Sequence, residues 1–313
     1  MTLPAQIGVA EFDALHDDPP RWRDDVAAIA VRLSPDAVQP MTEGTALVAL
    51  VGQAHVLKVY PPFLHDHFSF ERAMLRHVEG RLPLPTPVLV ADGAAGDGGT
   101  WPWLWITQLR GEPLTAAWPR LDEPARLAVL RQIGATMAAV HALPVDPLRA
   151  WAPPWAEFLQ RQRAGCARRQ ARTGLPAHLL AQLAMFLEGP LPDALTAPDE
   201  ADVPLTGEYT PMNLLHDPAQ PGRLSAMFDF GDGLVGPRAY DWLGPMCFLA
   251  AGSAPRLDAL FDGYIGRPFD RALREPLLRL LLLHRYSCLP AQIACPGWMD
   301  APDFPALAAR IWP

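Results

Sequence analysis

Lysine is almost absent from this chain. Of its 26 basic residues one is lysine, Lys58, and the other 25 are arginine. Lysine is a compact point charge on a flexible stem, whereas arginine is a wide planar fork. The single lysine stands there either by accident or because arginine cannot serve, which makes Lys58 a candidate site residue. Positive charge as a whole is short: 34 acidic residues set a net charge of −8. That balance argues against a nucleic-acid binder, whose affinity rests on clustered Lys and Arg. Cysteine is scarce, and Cys166, Cys247, Cys288 and Cys295 form no CxxC pair and no zinc spacing. The first twenty residues show neither the basic nor the apolar region of a signal peptide. Together these features lead us to expect reduced thiols and a cytoplasmic location. The longest apolar stretch near the C-terminus, 277–283, is interrupted by Arg279 and is too short to span a bilayer, so no membrane partner is expected. The 36 prolines are scattered, without a polyproline or collagen-like repeat. What remains is a core-forming chain of 313 residues, half of them hydrophobic, long enough for two lobes.

Hydrophobic periodicity divides the chain into a β-rich first part of about 110 residues and a helical remainder. A helix is predicted over residues 21–33. Residues 46–51 are apolar and β-branched, Gly52-Gln53 reads as a turn, and 55–60 alternate, which together predict a hairpin. The period of two places Val56, Lys58 and Tyr60 on one face, with Leu57 and Val59 on the other. A helix is predicted over 68–82. At 100° per residue Phe68, Leu75, Val78 and Leu82 fall within about 60° of Glu71. Glu71 thus occupies an apolar stripe, where a carboxylate is costly unless it meets a cation. Glu79 lies at the edge of that stripe. Further strands are predicted at 88–91 and 101–109, separated by a Gly-rich turn at 92–99. Helices follow at 121–141, 155–172 and 176–187. A second hairpin joins 213–216 to 224–230, and the chain beyond Tyr240 reads as mainly helical.

The chemistry concentrates around that second hairpin. Thr206-Gly207-Glu208-Tyr209-Thr210-Pro211-Met212-Asn213 sets a carboxylate and an amide five residues apart ahead of a strand, and Phe228-Asp229-Phe230-Gly231-Asp232 follows the hairpin. This spacing suits phosphoryl transfer. The reaction needs a carboxylate to accept a hydroxyl proton, and an Asn and an Asp to hold Mg²⁺ against a triphosphate. It also needs a cation on the inner phosphates, which Lys58 supplies, and Glu71 can orient that lysine through an ion pair.

The sequence resembles the aminoglycoside phosphotransferase family, within the protein-kinase-like fold. Seven segments carry the likeness in order. They are Glu43-Gly44-Thr45, Val56-Leu57-Lys58-Val59-Tyr60, Phe70-Glu71-Arg72, and Trp105-Ile106-Thr107-Gln108-Leu109-Arg110-Gly111-Glu112-Pro113-Leu114. Val140-His141-Ala142-Leu143-Pro144, the 207–213 loop, and the run from Phe228 through Gly236-Pro237-Arg238-Ala239-Tyr240-Asp241 complete the set. The resemblance implies a bilobal α+β fold. Residues 1–109 would form a small β-rich nucleotide-binding lobe with an N-terminal helical extension. Residues 110–313 would form a large, mainly helical catalytic and substrate-binding lobe, with ATP in the cleft.

The resemblance further implies that Lys58 binds the α- and β-phosphates with Glu71 as its anchor. Gly44 and Thr45 would belong to the nucleotide loop, and Val56 would line the adenine pocket. Backbone groups of Gln108, Leu109 and Arg110 would bond the base, and Asn213 and Asp229 would coordinate Mg²⁺. Asp241 would brace the loop. The activity implied is ATP- and Mg²⁺-dependent phosphorylation of a hydroxyl on a small molecule, with Glu208 as base beside Lys58 and Asp229. The family's loop usually begins His-Gly-Asp, and here it reads Thr206-Gly207-Glu208. The longer Glu moves the carboxylate oxygens by roughly 1.5 Å. That departure keeps open a second reading, a nucleotide-binding pseudokinase with a regulatory role; a third, in which the acceptor is a protein side chain, would need a short, open surface on the large lobe.

Other features have plainer expectations. His141 reads as a packed helix-end residue. Trp101, Trp103, Trp105, Trp151 and Trp155 read as core or cleft wall. The arginines of 155–172 read as a solvated face, with binding of an anionic substrate as the alternative. The acidic run Asp199-Glu200-Ala201-Asp202 reads as a surface loop, with attraction of a polycation as the alternative.

Overall fold

The structure, a computed structural model, describes residues 3–192 and 202–313. Within it the chain forms two compact units. The first takes residues up to 80, 85–110 and 228–232, and the second takes 81–84, the described part of 111–227, and 233–313.

The first unit is built on an antiparallel sheet of β1 (Val38–Met41), β2 (Leu47–Val51), β3 (His55–Val59), β4 (Leu89–Ala95) and β5 (Trp101–Thr107), in the order β1-β2-β3-β5-β4. In β3 the alternation is as expected: Leu57 and Val59 are fully buried, while Lys58 is opposite Val48 on β2 and Leu104 on β5. Leu57 and Val59 join a core with Trp22, Val26, Trp101 and Trp105. Helices α1 (Val9–His16) and α2 (Arg23–Ala30) supply much of this core through Phe12, Leu15, Val26 and Ile29. On the opposite face Lys58 reaches α3 (His65–Val78).

Several local expectations need correction. The predicted helix over 21–33 spans only Arg23–Ala30, because Pro19-Pro20 enforce a 3₁₀ turn before it. Helix α1 and strand β1 are not among the predicted elements. Helix α3 begins three residues earlier than predicted and stops at Val78; Gly80 follows with φ 66°, so Leu82 leaves the apolar stripe. The Gly-rich turn expected from residue 92 is instead strand as far as Ala95. A Cβ at Gly93 would stand 2.4 Å from the Trp103 ring, so glycine there admits the indole and lets the strand continue.

The second unit is mainly helical. Its longer helices are α4 (Glu123–His141), α5 (Trp155–Thr173), α6 (Ala239–Phe248), α7 (Ala254–Ile265), α8 (Arg274–Leu282) and α9 (Phe304–Ile311). Asp122 caps α4 by accepting the Ala125 N–H at 2.9 Å. Helices α4 and α7 meet at Gly134 and Gly263. A Cβ at either would come within 2.2 Å of a backbone oxygen on the facing helix. The predicted helix over 176–187 is two short turns, Ala177–Leu180 and Leu183–Phe186. The Gln182 N–H bonds Leu179 at i−3 and breaks the α-helical ladder there.

The second hairpin, β8 (Leu214–His216) with β9 (Leu224–Met227), is joined by β6 (Glu112–Pro113) in a three-stranded ribbon, and β7 (Val203–Leu205) pairs with β10 (Leu234–Gly236). The last strand of the hairpin stops at Met227, short of the predicted residue 230, because Asp229 adopts φ 67°. Of the acidic run, residues 199–201 lie outside the described residues, and Asp202 is 3.5 Å from Arg149. Among the described residues no helix is long and apolar enough to cross a membrane, and the four cysteines are free.

Candidate active site

In the first unit two carboxylates converge on Lys58. The ammonium donates to both oxygens of Glu71, at 2.8 and 2.7 Å, and to Oδ1 of Asp229 at 2.9 Å. The hydroxyl of Tyr60, the residue just past the end of β3, donates to Glu71 Oε2. The Glu71 side chain is 1% exposed, so its only compensation comes from these donors.

Burial works against the charge on Lys58, but Asp229 and Glu71 outweigh it and hold the ammonium charged well above the usual lysine range. Burial also pushes Glu71 upward, because one ammonium serves two carboxylates and offsets only part of the cost. Asp229 goes the other way: burial raises it, but Lys58 and a Gly231 N–H bring it below the ordinary carboxylate value. Gly231 is close-fitted, since a Cβ there would stand 3.3 Å from Glu71 Oε2. His67, one turn before Glu71 on α3, is 3.4 Å from Asp232. Asp229 is the one described non-glycine residue with positive φ. Aspartate tolerates that region better than most residues, and the turn it makes accompanies its bond to Lys58.

The other residues expected to meet nucleotide are spread along the same sheet. Gly44 and Thr45 are exposed on the link between β1 and β2, with Gly44 at φ 102°. Val56 is half-buried on the Lys58 face of β3. Gln108, Leu109 and Arg110 follow β5. Here one expectation meets a constraint: the Gln108 N–H is already donated to Ala54 O at 2.8 Å. The Gln108 Oε1 atom is buried without a partner.

In the second unit the 206–213 loop is held at its start by Asp241 on α6. Oδ2 accepts the Thr206 N–H at 3.0 Å and Oδ1 the Gly207 N–H at 2.9 Å. His141, at the end of α4, bridges Asp241 Oδ2 at 3.1 Å and the Tyr264 hydroxyl at 2.9 Å, so it is packed as expected and also tied to the loop's anchor. Glu208 is half-buried and accepts from Asn213 Nδ2 at 3.4 Å, on both its carbonyl and Oε2. Asn213 immediately precedes β8 and Phe228 immediately follows β9, at the end of the ribbon closed by the pair Leu214↔Met227.

The family model described as the phosphotransferase enzyme family matches residues 42–277. The chain belongs to this family. No curated protein matches the sequence. Solved structures show the same protein-kinase-like fold at low identity. One is the GDP complex of aminoglycoside 2'-phosphotransferase-IIIa, 16% identical, covering 91% of this chain and 90% of that one at a TM-score of 0.65. Another is the streptomycin–ATP ternary complex of APH(2")-IIa, 14% identical, covering 87% and 96% at 0.61. A third is the macrolide 2'-phosphotransferase MphH from Brachybacterium faecium, 20% identical, covering 86% and 98% at 0.57.

For a chain of this phosphotransferase family, a divalent cation is the implied companion. Mg²⁺ takes oxygen donors and usually draws several of its ligands from substrate phosphates and water. The Asp229 carboxylate, kept ionised by Lys58, is such a donor. So is the Asn213 amide oxygen, since Nδ2 is committed to Glu208. The residue types therefore fit. Among the described residues no group of three or more His, Cys, Asp or Glu gathers as a metal cluster. Sequence reasoning missed Tyr60 as a second donor to Glu71 and missed His284, which lies beside Gly207. The alternation predicted over 55–60 placed Tyr60 on the Lys58 face and could have found it. No local signal points to His284.

Proposed function

We propose that this chain transfers the γ-phosphoryl group of ATP, with Mg²⁺, to a hydroxyl group of a small molecule. The observation that carries the reading is Lys58: the sole lysine is half-buried and shared by a helix carboxylate and the aspartate that follows the second hairpin, which hold it charged. Phosphoryl transfer is catalysed chiefly by positioning and by stabilising charge on the phosphoryl oxygens, and a fixed ammonium beside a fixed carboxylate does both.

Lys58 would hold the inner phosphates, with Glu71 and Tyr60 fixing its position. Val56 and the backbone of Gln108, Leu109 and Arg110 would contact the base, and Gly44 and Thr45 would lie along the phosphates. Asp229 and Asn213 would hold Mg²⁺, which would supply neutralisation of phosphate charge. Glu208 would accept the acceptor's hydroxyl proton as its oxygen bonds to the γ-phosphorus, and the bond to the β-phosphate oxygen breaks to release ADP.

The test is nucleotide consumption with ATP or GTP over aminoglycosides, macrolides, sugars, amino alcohols and nucleosides, with Asp229→Ala as the blank. Both nucleotides belong in it because one structural relative is a GDP complex and another holds ATP. Consumption above the blank with a hydroxyl compound supports the proposal. Nucleotide binding without turnover would favour the regulatory reading, which the Glu208 substitution motivates. Absence of both binding and turnover in folded protein would refute both readings.

A further inference from the structure

We infer that His284 is a positioning residue for Glu208, an inference that rests on the proposed phosphotransfer and deepens it. His284 lies two residues beyond α8, is buried, and sets Nε2 3.4 Å from the carbonyl oxygen of Gly207. Its Nδ1 accepts the Tyr286 N–H at 3.2 Å, which places the ring proton on Nε2, so the imidazole donates to Gly207. The ring stacks on Tyr240 with centroids 4.5 Å apart and planes 17° from parallel, and the Tyr240 hydroxyl in turn accepts the Arg285 N–H at 3.2 Å. The ring is thereby held by a stack and by a bond at each nitrogen.

The consequence lies in the peptide plane. Gly207 has φ 80°, a conformation that side-chain-bearing residues rarely adopt, and its N–H already belongs to Asp241. The bond from His284 takes the other polar group of the same residue. The Gly207 carbonyl and the Glu208 N–H share one planar peptide unit. Fixing the carbonyl therefore fixes the direction in which Glu208 leaves the loop. Thr206, at the loop's start, spends its own N–H on Asp241 and has no ring to do this work. Burial, with Arg285 and Arg169 facing the ring, pushes the imidazole down to about 3, so the donor stays neutral and in one tautomer at ordinary pH.

The test compares His284→Phe, which keeps a ring against Tyr240 but removes the donor, with His284→Gln, which restores an N–H donor. A displacement of about 1 Å at a reacting group can cost on the order of 100-fold in rate. We expect His284→Phe to lower kcat by ten-fold to 100-fold with the KM for nucleotide within two-fold of wild type, and His284→Gln to recover much of that loss. A folded Phe variant with wild-type kcat would overturn the inference. So would a loss of kcat and nucleotide affinity in equal measure, the mark of general damage. Should wild type turn over no acceptor, the functional reading fails by itself, and amide hydrogen exchange decides the positioning claim. His284→Phe must then raise exchange at Glu208 more than at Leu205, and equal changes would refute it.

Discussion

Replacing Lys58 by methionine tests whether Glu71 depends on its cation. Methionine keeps an apolar stem one atom shorter than lysine but leaves the 1%-exposed Glu71 carboxylate with Tyr60 as its remaining donor. Removing one partner of a buried ion pair typically costs about 3–5 kcal/mol, because the other charge stays behind uncompensated. Asp229, with a side chain 30% exposed, can turn toward water, so the cost falls mainly on Glu71. At about 2–4 °C per kcal/mol, the melting temperature should fall by roughly 6–20 °C at pH 7.5.

The sign of the pH dependence follows from the direction of the shift. Burial already raises Glu71, and loss of Lys58 raises it further. The folded variant then binds more protons than the unfolded chain, so its stability falls as pH rises above the ordinary carboxylate range and recovers on acidification. The gap between variant and wild type should narrow at pH 5. Glu71→Gln added to Lys58→Met should restore more than half of the lost melting temperature, because the amide carries no charge to strand. Thermal denaturation at the two pH values reads all of this. A Lys58→Met protein melting within 2 °C of wild type at pH 7.5, or a double variant no better than the single, would refute the reasoning.

Other expectations concern the second unit and the close-packed glycines. Glu208→Gln should lower kcat by about 10²–10⁴-fold while leaving nucleotide affinity unchanged, as expected for loss of a proton acceptor; steady-state kinetics beside calorimetric binding checks it. Asp241→Asn keeps one acceptor oxygen and turns the other into a donor, so it cannot serve both Thr206 and His141 on Oδ2 and Gly207 on Oδ1. It should lower kcat by at least ten-fold, and hydrogen exchange should rise at Thr206 and Gly207. Gly134→Ala drives a methyl to within 2.2 Å of the Leu260 carbonyl, so the two helices must part, and a thermal melt should show a loss of at least about 1–3 kcal/mol.

Much of the Lys58 cluster was legible in the sequence because each member carries its own local mark. Lys58 is the single lysine, and strand alternation fixes its face. Glu71 violates the apolar stripe of its helix, and the error at the end of that helix left its phase intact. Asp229 is marked by the turn residues that follow a hairpin. The likeness in ordered motifs added the roles. What escaped is what only the fold brings together. His284 and Gly207 are 77 residues apart in sequence, and Asp241 is 34 residues from the N–H it accepts. Neither separation leaves a periodic trace. The hidden strand β1 and helix α1 were missed for another reason. Prolines and exposed charges mask their apolar positions, and packing of Phe12 and Leu15 beneath the sheet overrides weak propensity. The continuation of β4 through Gly93 likewise depends on an indole donated by the next strand.

The central claim, that Lys58 and Asp229 serve a nucleotide's phosphates, is tested most directly by calorimetric titration of wild type, Lys58→Met and Asp229→Ala with Mg·ATP and with Mg·GTP. Wild type should bind at least one of the two nucleotides with a dissociation constant below 1 mM, a bound set by ordinary substrate affinities, and each variant should weaken it at least ten-fold. Folded wild type that binds neither nucleotide, or variants that bind as tightly as wild type, would contradict the account.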